Sequence, residues 1–142
     1  MGSRIFVDTW GWVALGHKKD HRYKEITRYY REVYRQGAKF YTSDYVLDEL
    51  ITLLFRRENF MEAQVFIQGI LSSSDKGFIT IEMIKPDHFK KAWELRQRFK
   101  GKPLISFTDL TSMVLMNELR ITNILTEDAH FLQVGMGFKQ IP

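Results

Sequence analysis

The apolar positions along the chain change period several times, and each change marks an element. Ile5-Phe6-Val7 is a short continuous apolar run ending in a carboxylate at Asp8, the pattern of a strand buried on both faces. Over 22–36, Tyr23, Ile26, Tyr30, Val33 and Tyr34 recur near helical spacing, and Gly37 closes that helix. Lys39-Phe40-Tyr41-Thr42 reads as a second strand. Ser43 or Asp44 can cap the next helix, which runs to Arg57 on a stripe of Val46, Leu47, Leu50, Ile51, Leu53 and Leu54. A further helix fits 59–71, and the turn-rich segment 72–77 reads as a loop. Residues 78–84 alternate as a strand does, and Pro86-Asp87 opens a basic helix to Phe99. Gly101-Lys102-Pro103 is a loop. Thr108 is placed to cap a helix over 109–119, followed by a strand over 121–125, a short helix over 127–132 and an edge strand over 138–141.

Strands that alternate with helices imply a parallel sheet covered on both faces and joined by right-handed crossovers. The 142 residues fit one domain spanning 1–142. In such sheets ligands bind beyond the carboxyl ends of the strands, so the residues there carry the most information about function.

Acids stand at those positions. Asp8 ends the first strand, Asp128 follows the strand over 121–125, Asp109 lies in the first turn of its helix, and Glu49 lies inside the helix after the second strand. At about 100° per residue, Glu49 falls at the margin of the apolar stripe and Asp48 further onto the polar side. Asp109 and Asp128 also suit helix starts, where an acid gains about 0.3–1 kcal/mol from the dipole. Asp8 is harder to dismiss, because a carboxylate ending so apolar a strand is costly without a partner. Four converging carboxylates repel one another unless a cation neutralises them. Hard oxygen ligands without cysteine or a histidine cluster suit Mg²⁺ or Mn²⁺.

The charge distribution adds a partner. The formal net charge is +4. Residues 17–35 carry seven basic and three acidic side chains, residues 85–102 carry seven and two, and the remainder is net acidic. A basic surface beside a separate acidic set suggests a polyanion together with a metal. Lys18, Lys19, Arg22, Lys90, Lys91 and Arg96 are the candidates for phosphate contacts. Tyr23, Tyr29, Tyr30 and Trp93 have two readings, bases stacked on their rings or core packing, and their helical spacing favours the core. Trp10 and Trp12, flanking Gly11, either line the cleft or pack beneath it.

Several classes are excluded. Zero cysteines rule out disulfides, thiolate zinc and a cysteine nucleophile. There is no Gly-x-Ser-x-Gly elbow, no glycine-rich phosphate loop after the first strand, and no Asp-x-Asp in Asp8-Thr9-Trp10. His17 and His21 are four apart without an evident third ligand and read as structural or surface groups. No apolar run reaches the ~20 residues of a membrane span. The start of the chain has no secretory leader pattern, so a cytoplasmic location is expected.

Phe6-Val7-Asp8-Thr9, Leu47-Asp48-Glu49-Leu50, Ser106-Phe107-Thr108-Asp109 and Leu125-Thr126-Glu127-Asp128-Ala129-His130-Phe131 occur in that order. With these motifs the chain resembles the PIN domain over essentially its whole length, and within that family the VapC-type toxins of toxin–antitoxin pairs. The resemblance implies a three-layer α/β/α sandwich with a central parallel sheet of four to five strands. It implies a Mg²⁺- or Mn²⁺-dependent endoribonuclease acting on RNA, a homodimer, and a cognate antitoxin. Carried over, Asp8, Glu49, Asp109 and Asp128 are the catalytic and metal-holding acids, Thr9 and Thr108 support the ligands, and His130 and Phe131 are mainly structural. The competing expectation is a PIN-like module that binds RNA or protein without turnover.

Overall fold

Among residues 2–142, which a computed structural model of the chain describes, five strands and six helices alternate. The order is β1 (Arg4–Val7), α1 (Thr9–Gly16), α2 (Tyr23–Arg35), β2 (Lys39–Ser43), α3 (Asp44–Arg57), α4 (Phe60–Asp75), β3 (Ile79–Glu82), α5 (Pro86–Arg98), α6 (Phe107–Leu119), β4 (Asn123–Leu125) and β5 (Lys139–Ile141). A single 3₁₀ turn, Ala129–Leu132, lies between β4 and β5. The strands form one sheet in the order β3-β2-β1-β4-β5, and every pair is parallel.

The order places the functional edge. From β1 to β2 to β3 the chain steps one way across the sheet, and from β3 to β4 it jumps back past β1. With right-handed crossovers, α1 to α4 cover one face and α5 and α6 the other. The packing follows this division, with α1 on α2 and α3, α3 on α4, and α5 on α6, and α3 also meets α6. The direction reverses between β1 and β4, so the crevice beyond their carboxyl ends is where a ligand belongs.

The strand in the middle explains its own sequence. Ile5, Phe6 and Val7 are almost wholly buried between the two helical layers, each contributing roughly 1.5–3 kcal/mol. This is why β1 is continuously apolar rather than alternating. Trp12 packs beneath the cleft. It is buried, its indole N–H donates to the Thr42 hydroxyl oxygen at 3.0 Å, and that hydroxyl donates to the Val7 carbonyl at 3.0 Å. Tyr30 stacks on Phe40 at 4.1 Å between centroids, in keeping with the core reading. Trp93 departs from it and stands exposed on α5.

Several expectations are corrected. Helix α1 was not foreseen: Trp10, Trp12, Val13, Ala14 and Leu15 cover it almost all round, so no amphipathic period marks it. Its Gly11 is needed for space, because a Cβ there would stand 2.2 Å from the Leu125 carbonyl oxygen. Helix α4 does not stop at 71 but runs through Ser72-Ser73-Ser74 to Asp75. Gly77, at φ +84°, makes the turn into β3 instead. Helix α6 starts two residues earlier than expected, and its cap is Ser106, not Thr108.

Candidate active site

Asp8, Asp109 and Asp128 converge at the β1–β4 crevice, each held by the start of a helix. Asp8 caps α1. Its Oδ1 accepts the Gly11 N–H at 2.9 Å and its Oδ2 accepts the Thr126 hydroxyl at 2.7 Å. Asp109 is the third residue of α6 and forms a reciprocal box with Ser106. The Asp109 N–H donates to Ser106 Oγ at 3.0 Å, and the Ser106 N–H donates to Asp109 Oδ2 at 3.4 Å. Asp128 caps the 3₁₀ turn, where its Oδ1 accepts the His130 N–H at 2.9 Å. The Asp128 N–H donates to Thr126 Oγ1 at 2.9 Å, so Thr126 ties Asp8 and Asp128 together.

The electrostatics match a crowded acidic site. Burial holds the Asp8 carboxyl well above its usual range, and the charges of Asp109 and Asp128 push it further, against the pull of Gly11 and Thr126. Asp109 is pushed up to about 6 by burial and by Asp128, with Glu49 adding to the rise and His130 and Ser106 opposing it. Glu49 therefore stands within electrostatic reach of Asp109, from a helix that packs on α6. It is half-buried, whereas Asp48 is exposed, in line with the helical-wheel reading.

Two donor groups occur among the described residues, one of Asp20, His21 and Glu127 and one of Asp109, Asp128 and His130, and in each every residue offers one ligand atom within 4.8 Å of the others. His130 Nδ1 is 2.9 Å from Asp128 Oδ2 and 3.5 Å from Asp109 Oδ2. Two carboxylates and an imidazole, with Asp8 and Glu49 adding negative charge, form a donor set that fits a divalent cation. Beside it, Glu127 is pushed up to about 7 by burial and by its neighbour Asp20.

The supporting residues differ from those expected. The Thr9 hydroxyl is buried without a hydrogen-bond partner, and Thr108 only offers its carbonyl to Thr111. Thr126 and Ser106 hold the acids instead. Both carry a sequence signal, a hydroxyl two or three residues before an acid at a helix start. Arg96 is also corrected as a phosphate contact. Its guanidinium turns inward to the carbonyls of Ile105, Phe99 and Lys102 and closes the loop before α6. Arg22 pairs with Glu25 at 2.7 Å and Lys18 approaches Glu62 at 3.9 Å, while Lys19, Lys90 and Lys91 are exposed.

The PIN domain model matches residues 5–136. The chain belongs to the PIN domain family. This PIN domain is 32% identical over 131 residues to the 23S rRNA-specific endonuclease VapC20 of Mycobacterium tuberculosis, covering 92% of this chain and 94% of that one. It is also similar to the crystal structure of M. tuberculosis VapC20, described as a Sarcin-Ricin loop cleaving toxin. The TM-score is 0.80 at 31% identity, covering 92% of this chain and 95% of that one. The structure of VapBC2 from Rickettsia felis, bound to a DNA fragment from its promoter, shares the fold. Its TM-score is 0.70 at 16% identity, with 97% of both chains covered. Within the family this chain is a VapC-type nuclease toxin.

Proposed function

We propose that this chain is a divalent-metal-dependent endoribonuclease, with Mg²⁺ or Mn²⁺ as cofactor, and that a structured loop of 23S rRNA is its substrate. The observation that carries the metal is the approach of Asp109 and Asp128 to one donor group, with Asp8 beside them at the same crevice. The substrate follows from the similarity to VapC20 over nearly the whole chain. Asp8, Asp109 and Asp128 hold the ion. When bound, it orients a water and offsets charge on a phosphoryl oxygen. Glu49, on the side of Asp109, takes the proton of the attacking water as the new P–O bond forms, the P–O bond to the leaving ribose oxygen breaks, and that oxygen takes a proton from solvent. Lys19, Lys90 and Lys91 hold the phosphate backbone, so binding weakens as salt rises.

A cognate antitoxin and a homodimer complete the reading, which is that of a toxin working in the cytoplasm. A groove lined by Leu15, Tyr23, Met61, Val65 and Phe66, with Lys18 and Glu62 also lining it, suits an antitoxin segment. Exposed Phe89, Trp93 and Leu104 suit a second copy. No helix among the described residues is long and apolar enough to cross a membrane.

Purified protein incubated with 23S rRNA and Mg²⁺ is expected to make one discrete cut, mapped by primer extension. Uncut 23S rRNA beside a cleaved unrelated RNA would overturn the substrate assignment.

A further inference from the structure

His130 turns its ring to the site acids. Phe131, the next residue, is buried and anchors the 3₁₀ turn, whereas the His130 ring faces the carboxylates. The turn itself aims the ring. The His130 backbone N–H occupies Asp128 Oδ1, which leaves Asp128 Oδ2 to face His130 Nδ1.

We propose that His130 Nδ1 is a nitrogen ligand of the metal centre and sets its preference among divalent ions. The inference rests on the proposed reading of the carboxylates as metal-holding. For metal–ligand bonds of about 2.1 Å, adjacent corners of an octahedron stand about 3.0 Å apart. Nδ1 lies 2.9 Å from one carboxylate oxygen and 3.5 Å from the other, close to that spacing before any adjustment. Nδ1 faces both acids, and a ring protonated at Nε2 would present the Nδ1 lone pair to the ion. An imidazole donor raises affinity for transition ions over Mg²⁺, which holds oxygen ligands and water more readily.

Pulsed electron paramagnetic resonance of Mn²⁺ bound to the intact chain tests this. The wild type is expected to show nitrogen modulation that switches from the ¹⁴N to the ¹⁵N pattern when the protein is labelled with ¹⁵N-histidine. His130→Gln should lose the modulation, and its preference for Mn²⁺ over Mg²⁺ should fall by about tenfold. Asp109→Asn should weaken Mn²⁺ binding itself. Mn²⁺ bound through Asp109 without nitrogen modulation in the labelled wild type would overturn the role of His130 and leave the metal reading standing. Modulation that persists in a folded His130→Gln variant would do the same. Failure of the wild type to bind Mn²⁺ would overturn both. The labelled wild type decides the matter even if the variant does not fold.

Discussion

Asp109→Asn is expected to reduce RNA cleavage on the order of 10³-fold while making the metal-free protein more stable at pH 7.5. The first effect follows from losing an ion whose charge stabilisation is worth several kcal/mol in the transition state. The second follows from the cost of ionising Asp109 in the fold. Its carboxyl moves from 3.8 to about 6 on folding, chiefly through burial and the charge of Asp128. At about 1.4 kcal/mol per tenfold change in proton affinity, full ionisation costs on the order of 3 kcal/mol. Asparagine keeps the shape and can still accept the Ser106 N–H, yet it carries no charge. A melting temperature several degrees above wild type, together with lost cleavage, is the expected pair of results. A large loss of stability would mean that the acid serves the fold rather than the site.

The pH dependence of stability should run opposite to ordinary acid denaturation. For a carboxyl whose folded affinity for protons is raised, the folded state holds more protons than the unfolded state. Stability then falls as pH rises through the window between the two values. For Asp109 that window lies between 3.8 and about 6, and for Glu127 between 4.5 and about 7, with Asp8 shifted in the same direction. Glu25 and Glu58 are shifted downward, so their contributions are lost only at the acid end. Without divalent ions, thermal stability should decline from pH 5 to 7.5. With Mg²⁺ at a hundred times its Kd, stabilisation of about 2.7 kcal/mol should offset the decline at the upper end. Thermal melts of wild type and Asp109→Asn, with Mg²⁺ and with chelator, measure it. Metal-free stability that rises steadily from pH 5 to 7.5 would contradict the raised carboxyls.

The four acids were legible because strand-end positions in a parallel sheet are constrained. An apolar run such as Ile5-Phe6-Val7 marks Asp8 as an acid that needs partners, although the run does not show that one of them is the start of helix α1. The position of Glu49 rather than Asp48 followed from the helical wheel, since one residue turns a side chain by about 100°. Less legible were features whose signal is not periodic. Helix α1 buries side chains on several sides, so its pattern carries no face. The serines ending α4 favour loops, and packing of the helix overrides that preference. Ser106 and Thr126 precede acids at helix starts, but nothing in its own segment says that the Thr126 hydroxyl also holds Asp8. Arg96 lay in a basic run, and only the fold of the loop over 99–105 brings three carbonyls to its guanidinium.

Asp8, Asp109 and Asp128 are proposed to hold a divalent ion on which RNA cleavage depends. Cleavage of RNA by the wild type and by Asp8→Asn, each with Mg²⁺ or Mn²⁺ and then with excess chelator, tests it most directly. Cleavage should occur only in the wild type and only with the ion present. Cleavage that survives both chelation and Asp8→Asn would contradict the account.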